Sequence, residues 1–329
     1  MNRSPAFATL PRMDPPLFKQ VTRRLRARLE RHAICLGRVL FAKVPRGGIL
    51  LAARVIGDLG FLLARRHKRI AYANIEIICG RRFSRKRQRA LVRAHFRHAA
   101  RVLLDLFWFS HEGRERLARW SRMDPVFLEW LRDHPGGIIV TGHLGNWEVA
   151  GQTVAALGFP LTSVAKQIGT PGTTQCLNRY RSNLGQKIVM ADGAVRELVR
   201  SLQAKEFVAL LLDQHVAPED GGVWVNLFGL PVAVSSSAAR LALKYEMPIA
   251  VSFSLALPDG RYDCRLIGVC EASSSGDPVQ VTQQIMDLMA GAIRRHPSQW
   301  LLSYKRWKRW PPGADATRYP FYAKPWKLK

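Results

Sequence analysis

From Gly136 onward, short apolar runs alternate with amphipathic segments, and few folds satisfy that alternation. The pattern predicts strands at Ile138–Val140, Leu161–Ala165, Lys187–Met190, Phe207–Leu212 and Pro248–Phe253, with Arg261–Val269 as an added strand. Between them it predicts helices over Asn146–Leu157, Thr173–Leu184, Ala194–Gln203 and Ser235–Tyr245, and a late helix over Val279–Arg295. Gly158 and Gly185 stop two of these helices. Strands that alternate with helices favour a mostly parallel sheet flanked by helices, an α/β fold. Upstream, residues 19–132 read mostly as helices. The longest, Arg85–Trp108, is arginine-rich and carries Leu91, Phe96, Leu103, Leu104 and Phe107 at helical spacing. The expected organisation is a flexible, proline-bearing lead over 1–18, a basic, membrane-associated helical region over 19–132, an α/β core over 133–310 and a basic tail over 311–329.

The first predicted strand leads into Thr141-Gly142-His143-Leu144-Gly145-Asn146-Trp147-Glu148. Two glycines frame a histidine in the turn, and a glutamate follows five residues later, early in a helix. A neutral imidazole removes a proton near pH 7, because its ordinary pKa is about 6.5. A carboxylate on its other nitrogen fixes the tautomer. Spacing alone also fits a turn histidine beside a solvated glutamate. His215 and Asp220 repeat the interval in a proline-containing loop without flanking glycines. Strand, glycines and Asn146-Trp147 set the first pair apart.

Charge is the second constraint. The chain of 329 residues has 51 basic and 24 acidic residues, a formal net charge of +27. Between Lys19 and Arg101 there are 23 Lys or Arg against Glu30, Asp58 and Glu76. Near the end, Lys305, Arg306, Lys308 and Arg309 interleave with Trp307 and Trp310. Such an excess points to an anionic partner: nucleic acid, a membrane surface or an acidic protein. No helix-turn-helix, zinc-finger or RNA-binding signature accompanies it, so a nucleic-acid partner is not expected. The five cysteines are scattered without a Cys-x-x-Cys pair, which argues against a zinc site and a disulfide framework and fits reduced thiols facing the cytoplasm. The first residues lack the apolar core and cleavage site of a signal peptide. Gly47–Ala64 is apolar but interrupted by Arg54 and Asp58, with basic flanks at Arg46 and Arg65–Arg69. It suits a helix lying in a membrane interface, or a buried core helix, better than a spanning one.

The junction also carries a resemblance. Gly142-His143-Leu144-Gly145-Asn146-Trp147-Glu148 is similar to the signature of the bacterial lipid A late acyltransferases, within the wider lysophospholipid acyltransferase superfamily. Further blocks resemble the family's in order: Arg69 to Asn74, Arg181 with Gly185, Asp213-Gln214, Phe228 to Pro231, Ala239 to Ala242, Gln299-Trp300-Leu301 and Arg306-Trp307-Lys308. Lys166 and Gly169-Thr170-Pro171 depart from the pattern, as does Leu302 where an aromatic residue is usual.

The resemblance implies His143 as general base with Glu148 as its partner. It implies substrate-binding roles for Gly145, Asn146, Lys166, Arg181, Asp213 and Arg306, and oxyanion donors among the backbone amides near Gly145. The donor would be a thioester of acyl carrier protein or coenzyme A. The acceptor would be a hydroxyl of an anionic, lipid A-type glycolipid in lipopolysaccharide synthesis, at the cytoplasmic face of the inner membrane. No metal or cofactor is implied. No serine stands in a nucleophile elbow, so no acyl-enzyme is expected. Another glycolipid, or a lysophospholipid, is the near alternative acceptor, and a non-enzymatic nucleic-acid-binding protein the distant one.

Overall fold

A computed structural model describes residues 36–326 apart from 38, 81 and 82; the expected lead over 1–18 lies outside the described residues. The upstream helices are α1 (Arg46–Leu63), α2 (Arg65–Cys79), α3 (Arg85–Trp108) and α4 (Gly113–Trp120). The alternating part contains β1 (Ser121–Met123), α5 (Pro125–Asp133), β2 (Gly137–Thr141), α6 (Trp147–Ala156), β3 (Leu161–Ala165), α7 (Pro171–Arg181), β4 (Lys187–Met190), α8 (Ala194–Gln203) and β5 (Phe207–Leu211). After it come β6 (Gly222–Leu227), β7 (Leu230–Ser235), α9 (Ser237–Tyr245), β8 (Ile249–Ala256), β9 (Tyr262–Cys270) and α10 (Pro278–Arg295).

Seven strands form one sheet in the order β1-β9-β8-β2-β5-β3-β4. All neighbours are parallel except β8 and β9. The mostly parallel sheet is therefore present. Its centre, β2, is buried along its whole length, as expected of a parallel strand covered on both faces. Ile138 and Val140 pack into the same cluster as Leu198, Leu202 and Val208, joining α8 to the sheet.

Three elements differ from the sequence reading. Ser121–Met123 is an edge strand within a stretch that reads as helical, and pairing with Tyr262–Cys264 makes it one. Gly222–Ser235 forms an antiparallel hairpin, β6–β7, turning at Phe228-Gly229 with positive φ at both residues. The expected helix over 173–184 closes at Arg181 and tightens into a 3-10 turn over Ser182–Leu184. The chain end also folds back. β10 (Arg309–Trp310) pairs with β11 (Lys324–Pro325), and the Tyr322 hydroxyl donates to Asn74 on α2. Asn74 is buried and donates to the carbonyls of Leu302 and Tyr304, at 2.6 and 2.7 Å.

α1 presents apolar residues on two faces. Ile49, Ala53, Gly57 and Phe61, at helical spacing, are buried. A Cβ on Gly57 would stand 2.3 Å from the Arg97 Cα, so glycine is what lets α1 and α3 touch backbone to backbone. On the other face Leu51, Val55, Leu59 and Leu62 are between 51% and 61% exposed. No single described helix is long and apolar enough to cross a membrane; α1 and α2 meet that test only as a pair bent by 94°.

Candidate active site

Strand register assembles the site. Thr141 at the end of β2 lies opposite Leu211 at the end of β5, and the Leu212 N–H donates to the Thr141 carbonyl at 3.1 Å. His143 and Asp213 each stand two residues beyond their strand's last residue, so parallel pairing sets them side by side although 70 residues separate them. His143 Nδ1 lies 2.7 Å from Asp213 Oδ1, and the His143 backbone N–H donates to Oδ2 at 3.0 Å.

Asp213 is buried and heavily supported. The Trp300 indole N–H donates to it at 2.8 Å, and the fully buried Arg306 guanidinium pairs with it. Arg306 in turn lies over the Trp300 ring, 3.5 Å from its centroid. Burial alone would push the Asp213 carboxyl up. The Arg306 charge, then His143, outweighs burial and holds it well below the usual carboxylate range. Burial pushes the Arg306 guanidinium down, opposed by Asp213. Asp213 is therefore an acceptor only, and the proton shared with His143 sits on Nδ1. The lone pair of the imidazole is then on Nε2, where the Gln214 side-chain nitrogen approaches to 3.1 Å.

The carboxylate that orients His143 is thus Asp213 and not Glu148. Glu148 occupies the first turn of α6, and its carboxylate takes a two-pronged bond from Arg181 at the end of α7, with Nε–Oε2 at 2.8 Å and Nη2–Oε1 at 2.6 Å. An acid in a first turn and a base in a last turn each suit their helix dipole. Four residues of intervening turn and helix point Glu148 along α6 toward α7, while the imidazole faces the end of β5. Both side chains still line one cavity.

That cavity, of about 290 Å³, has an apolar wall from α3, including Val102 and Leu106, and is completed by Trp147, Leu177 and Leu301. His143, Glu148 and Arg181 also line it. His95 and His98 of α3 stand at its floor. Burial, and next the neighbouring His98, pushes His95 down to about 3. Burial pushes His98 down to about 4, although a bond to the Gly145 carbonyl opposes it. Both are neutral at pH 7, and His98 Nε2–H donates to the Gly145 carbonyl at 2.9 Å.

The other expected residues separate into buried supports and one exposed lysine. Asn146 is buried and caps α6, accepting from the Val149 N–H at 3.2 Å and donating to the Tyr262 hydroxyl at 3.1 Å. Gly145 adopts φ +67, and a Cβ there would lie 2.0 Å from the Ser254 carbonyl oxygen. The amides expected to serve an oxyanion are engaged: Gly145 N–H donates to the Gln299 carbonyl at 3.1 Å and Asn146 N–H to the Ser254 carbonyl at 2.7 Å. They tie the turn to β8 and to the segment around Trp300. Arg306 is sealed against Asp213. Lys166 follows β3 on an exposed stretch. His98, Gln214 and Trp300 complete the constellation; Gln214 and Trp300 belong to the blocks quoted for the resemblance, whereas a lone histidine inside a basic helix carries no sequence signal.

The chain is 26% identical over 176 residues to a phosphatidylinositol mannoside acyltransferase of Mycobacterium tuberculosis (strain CDC 1551 / Oshkosh), covering 52% of this chain and 54% of the relative. It is 24% identical over 225 residues to a protein of the same description from Mycolicibacterium smegmatis, covering 66% of this chain and 72% of the relative. The match thus spans about half the length of the first relative. The family model described as bacterial lipid A biosynthesis acyltransferase matches residues 16–309, so the chain belongs to that family.

Proposed function

We propose that this protein transfers a fatty acyl chain from a thioester to a hydroxyl of a glycolipid, with His143 as the general base. The observation that carries the proposal is the His143–Asp213 contact of 2.7 Å beside an apolar cavity. Asp213 keeps the proton on Nδ1, leaving Nε2 to take the proton of the attacking hydroxyl. The hydroxyl oxygen bonds to the thioester carbonyl carbon, the intermediate collapses, and the departing sulfur takes the proton from Nε2. Asp213 stabilises the imidazolium formed between these steps, and Arg306 keeps the Asp213 carboxylate ionised. General-base help of this kind is worth about 10²–10⁴-fold. The apolar cavity is suited to the acyl chain.

Two features favour work at a membrane surface. The outer face of α1 exposes Leu51, Val55, Leu59 and Leu62, and the following helix opens with Arg65, Arg66, Lys68 and Arg69. Apolar side chains flanked by cations suit the headgroup layer of an anionic bilayer. The +27 charge equally suits an acidic carrier protein or the phosphates of coenzyme A as donor. On this reading the protein acts at the cytoplasmic face of the inner membrane. A lipid A-type acceptor is the first reading, supported by the family description; a mannosylated phosphoinositide is the second reading, favoured by the names of the relatives.

The test is acyl transfer from labelled acyl thioesters, with mass spectrometry of lipids from cells with and without the protein. The expected result is an added acyl chain on a glycolipid, lost in His143→Ala. Equal transfer by His143→Ala would overturn the role of the base. A changed phospholipid beside unchanged glycolipids would overturn the acceptor class.

A further inference from the structure

We infer that Gln214 is a catalytic residue, whose side-chain amide covers the His143 lone pair at rest and becomes the hydrogen-bond donor to the oxyanion during transfer. The inference rests on the acyl-transfer reading above. It begins from the contact between Gln214 Nε2 and His143 Nε2 at 3.1 Å. With the Nδ1 proton committed to Asp213, Nε2 can only accept, so the Gln214 group facing it is the N–H and not the carbonyl.

A tetrahedral intermediate needs donors preset around its oxygen. Three main-chain N–H groups of the turn already have partners: His143 donates to Asp213, Gly145 to Gln299 and Asn146 to Ser254. Arg181 directs Nε and Nη2 to Glu148 and Nη1 to Asn178. The Gln214 amide differs from all of these. Its N–H spans to the nitrogen that the incoming hydroxyl must reach, so binding of the hydroxyl displaces it.

The step balances without any further reactant. The hydroxyl proton passes to Nε2 and the hydroxyl oxygen bonds to the carbonyl carbon. The carbonyl π pair moves onto oxygen, to which the displaced Gln214 N–H donates a hydrogen bond. When the carbonyl re-forms, the carbon–sulfur bond breaks, the thiolate takes the proton from Nε2, and the amide returns to the lone pair. At rest the same contact shields the base from stray proton donors.

Gln214→Met removes the N–H at nearly constant size, and Gln214→Glu keeps the shape while removing the donor. Thermal melting of both variants verifies that they fold. Two readouts decide. In the free protein, the ¹⁵N resonance of His143 Nε2 should move downfield in Gln214→Met, as expected when an acceptor nitrogen loses its donor. In steady-state transfer, kcat should fall by about 10²–10³-fold in both variants with little change in KM for the thioester. An unmoved Nε2 resonance would overturn the resting contact. A moved resonance with unchanged or raised kcat would make Gln214 a cover only and overturn its catalytic role. Failure of the wild-type protein to transfer acyl groups would instead break the underlying functional reading, while the resonance would still test the contact.

Discussion

Asp213 and Glu148 are both acids near the same imidazole, yet they occupy opposite situations. Asp213 follows a strand, is buried, and collects His143, Trp300 and Arg306. Glu148 begins a helix, lies at the cavity wall, and pairs with Arg181. Nearness along the chain favours Glu148, and strand register favours Asp213. Register prevails because β2 and β5 are hydrogen-bonded neighbours whose ends coincide, whereas the Glu148 carboxylate is taken up by Arg181 of α7. The difference separates a group that sets the state of the base from one that ties two helices around the cavity.

The largest expected effect comes from Asp213→Asn. The amide can present the wrong group to Nδ1, as in other His–Asp pairs where such a change lowers kcat by about 10⁴. It also leaves the buried Arg306 without its counter-charge, a loss of about 3–5 kcal/mol in comparable buried pairs. Transfer rate and denaturant unfolding of the same sample measure the two. Activity within tenfold of wild type would break the comparison at its root.

Acid should expose the buried histidines next. Burial keeps His95 at about 3 and His98 at about 4 in the folded state, against an ordinary 6.5. Their folded values are lowered, so the stability associated with neutral rings is present above 6.5 and is lost as pH falls toward the folded values, because the unfolded chain binds the protons first. From pH 7 to pH 5 the loss is about 2 kcal/mol per histidine. Urea unfolding at both pH values measures it. His98→Gln can keep an N–H to the Gly145 carbonyl and should remove about half of the slope.

Glu148→Gln sharpens the comparison from its other side. It breaks a two-pronged bond between partly buried groups, costing about 1–3 kcal/mol. Because the His143 tautomer is set elsewhere, kcat should stay within about tenfold of wild type. A loss equal to that of Asp213→Asn would give Glu148 a direct part in the chemistry. The smallest effect on stability belongs to Leu59→Glu on the outer face of α1, within about 0.5 kcal/mol of wild type. The same change should abolish most binding to anionic vesicles in flotation, and unchanged flotation would remove α1 from the membrane reading.

Much of the scaffold was legible in residue order. Ile138–Val140 is a short apolar run between Gly136-Gly137 and Thr141-Gly142, and it became the buried central strand. Asn146 marked the start of α6 because its side chain caps the Val149 N–H. Ser121–Met123 was not legible, since three mixed residues become a strand only by pairing with β9. The β6–β7 hairpin escaped because Phe228 is an unusual residue for a turn with positive φ. In the site, the special standing of His143 was visible from its glycines and its block, but its partner was not. His98 was invisible because nothing local tells a floor histidine from a surface one on an arginine-rich helix.

The sequence by itself determined the alternation of strands and helices, the position of the histidine turn and the excess of positive charge, because each is a property of neighbouring residues. Only the tertiary structure decided that Asp213 rather than Glu148 meets the imidazole, that Gly145 and Asn146 spend their amides on the scaffold, and that Gln214 faces the free lone pair. Those outcomes depend on which strands become neighbours and in what register, and hydrogen bonding between segments far apart in the chain fixes that choice.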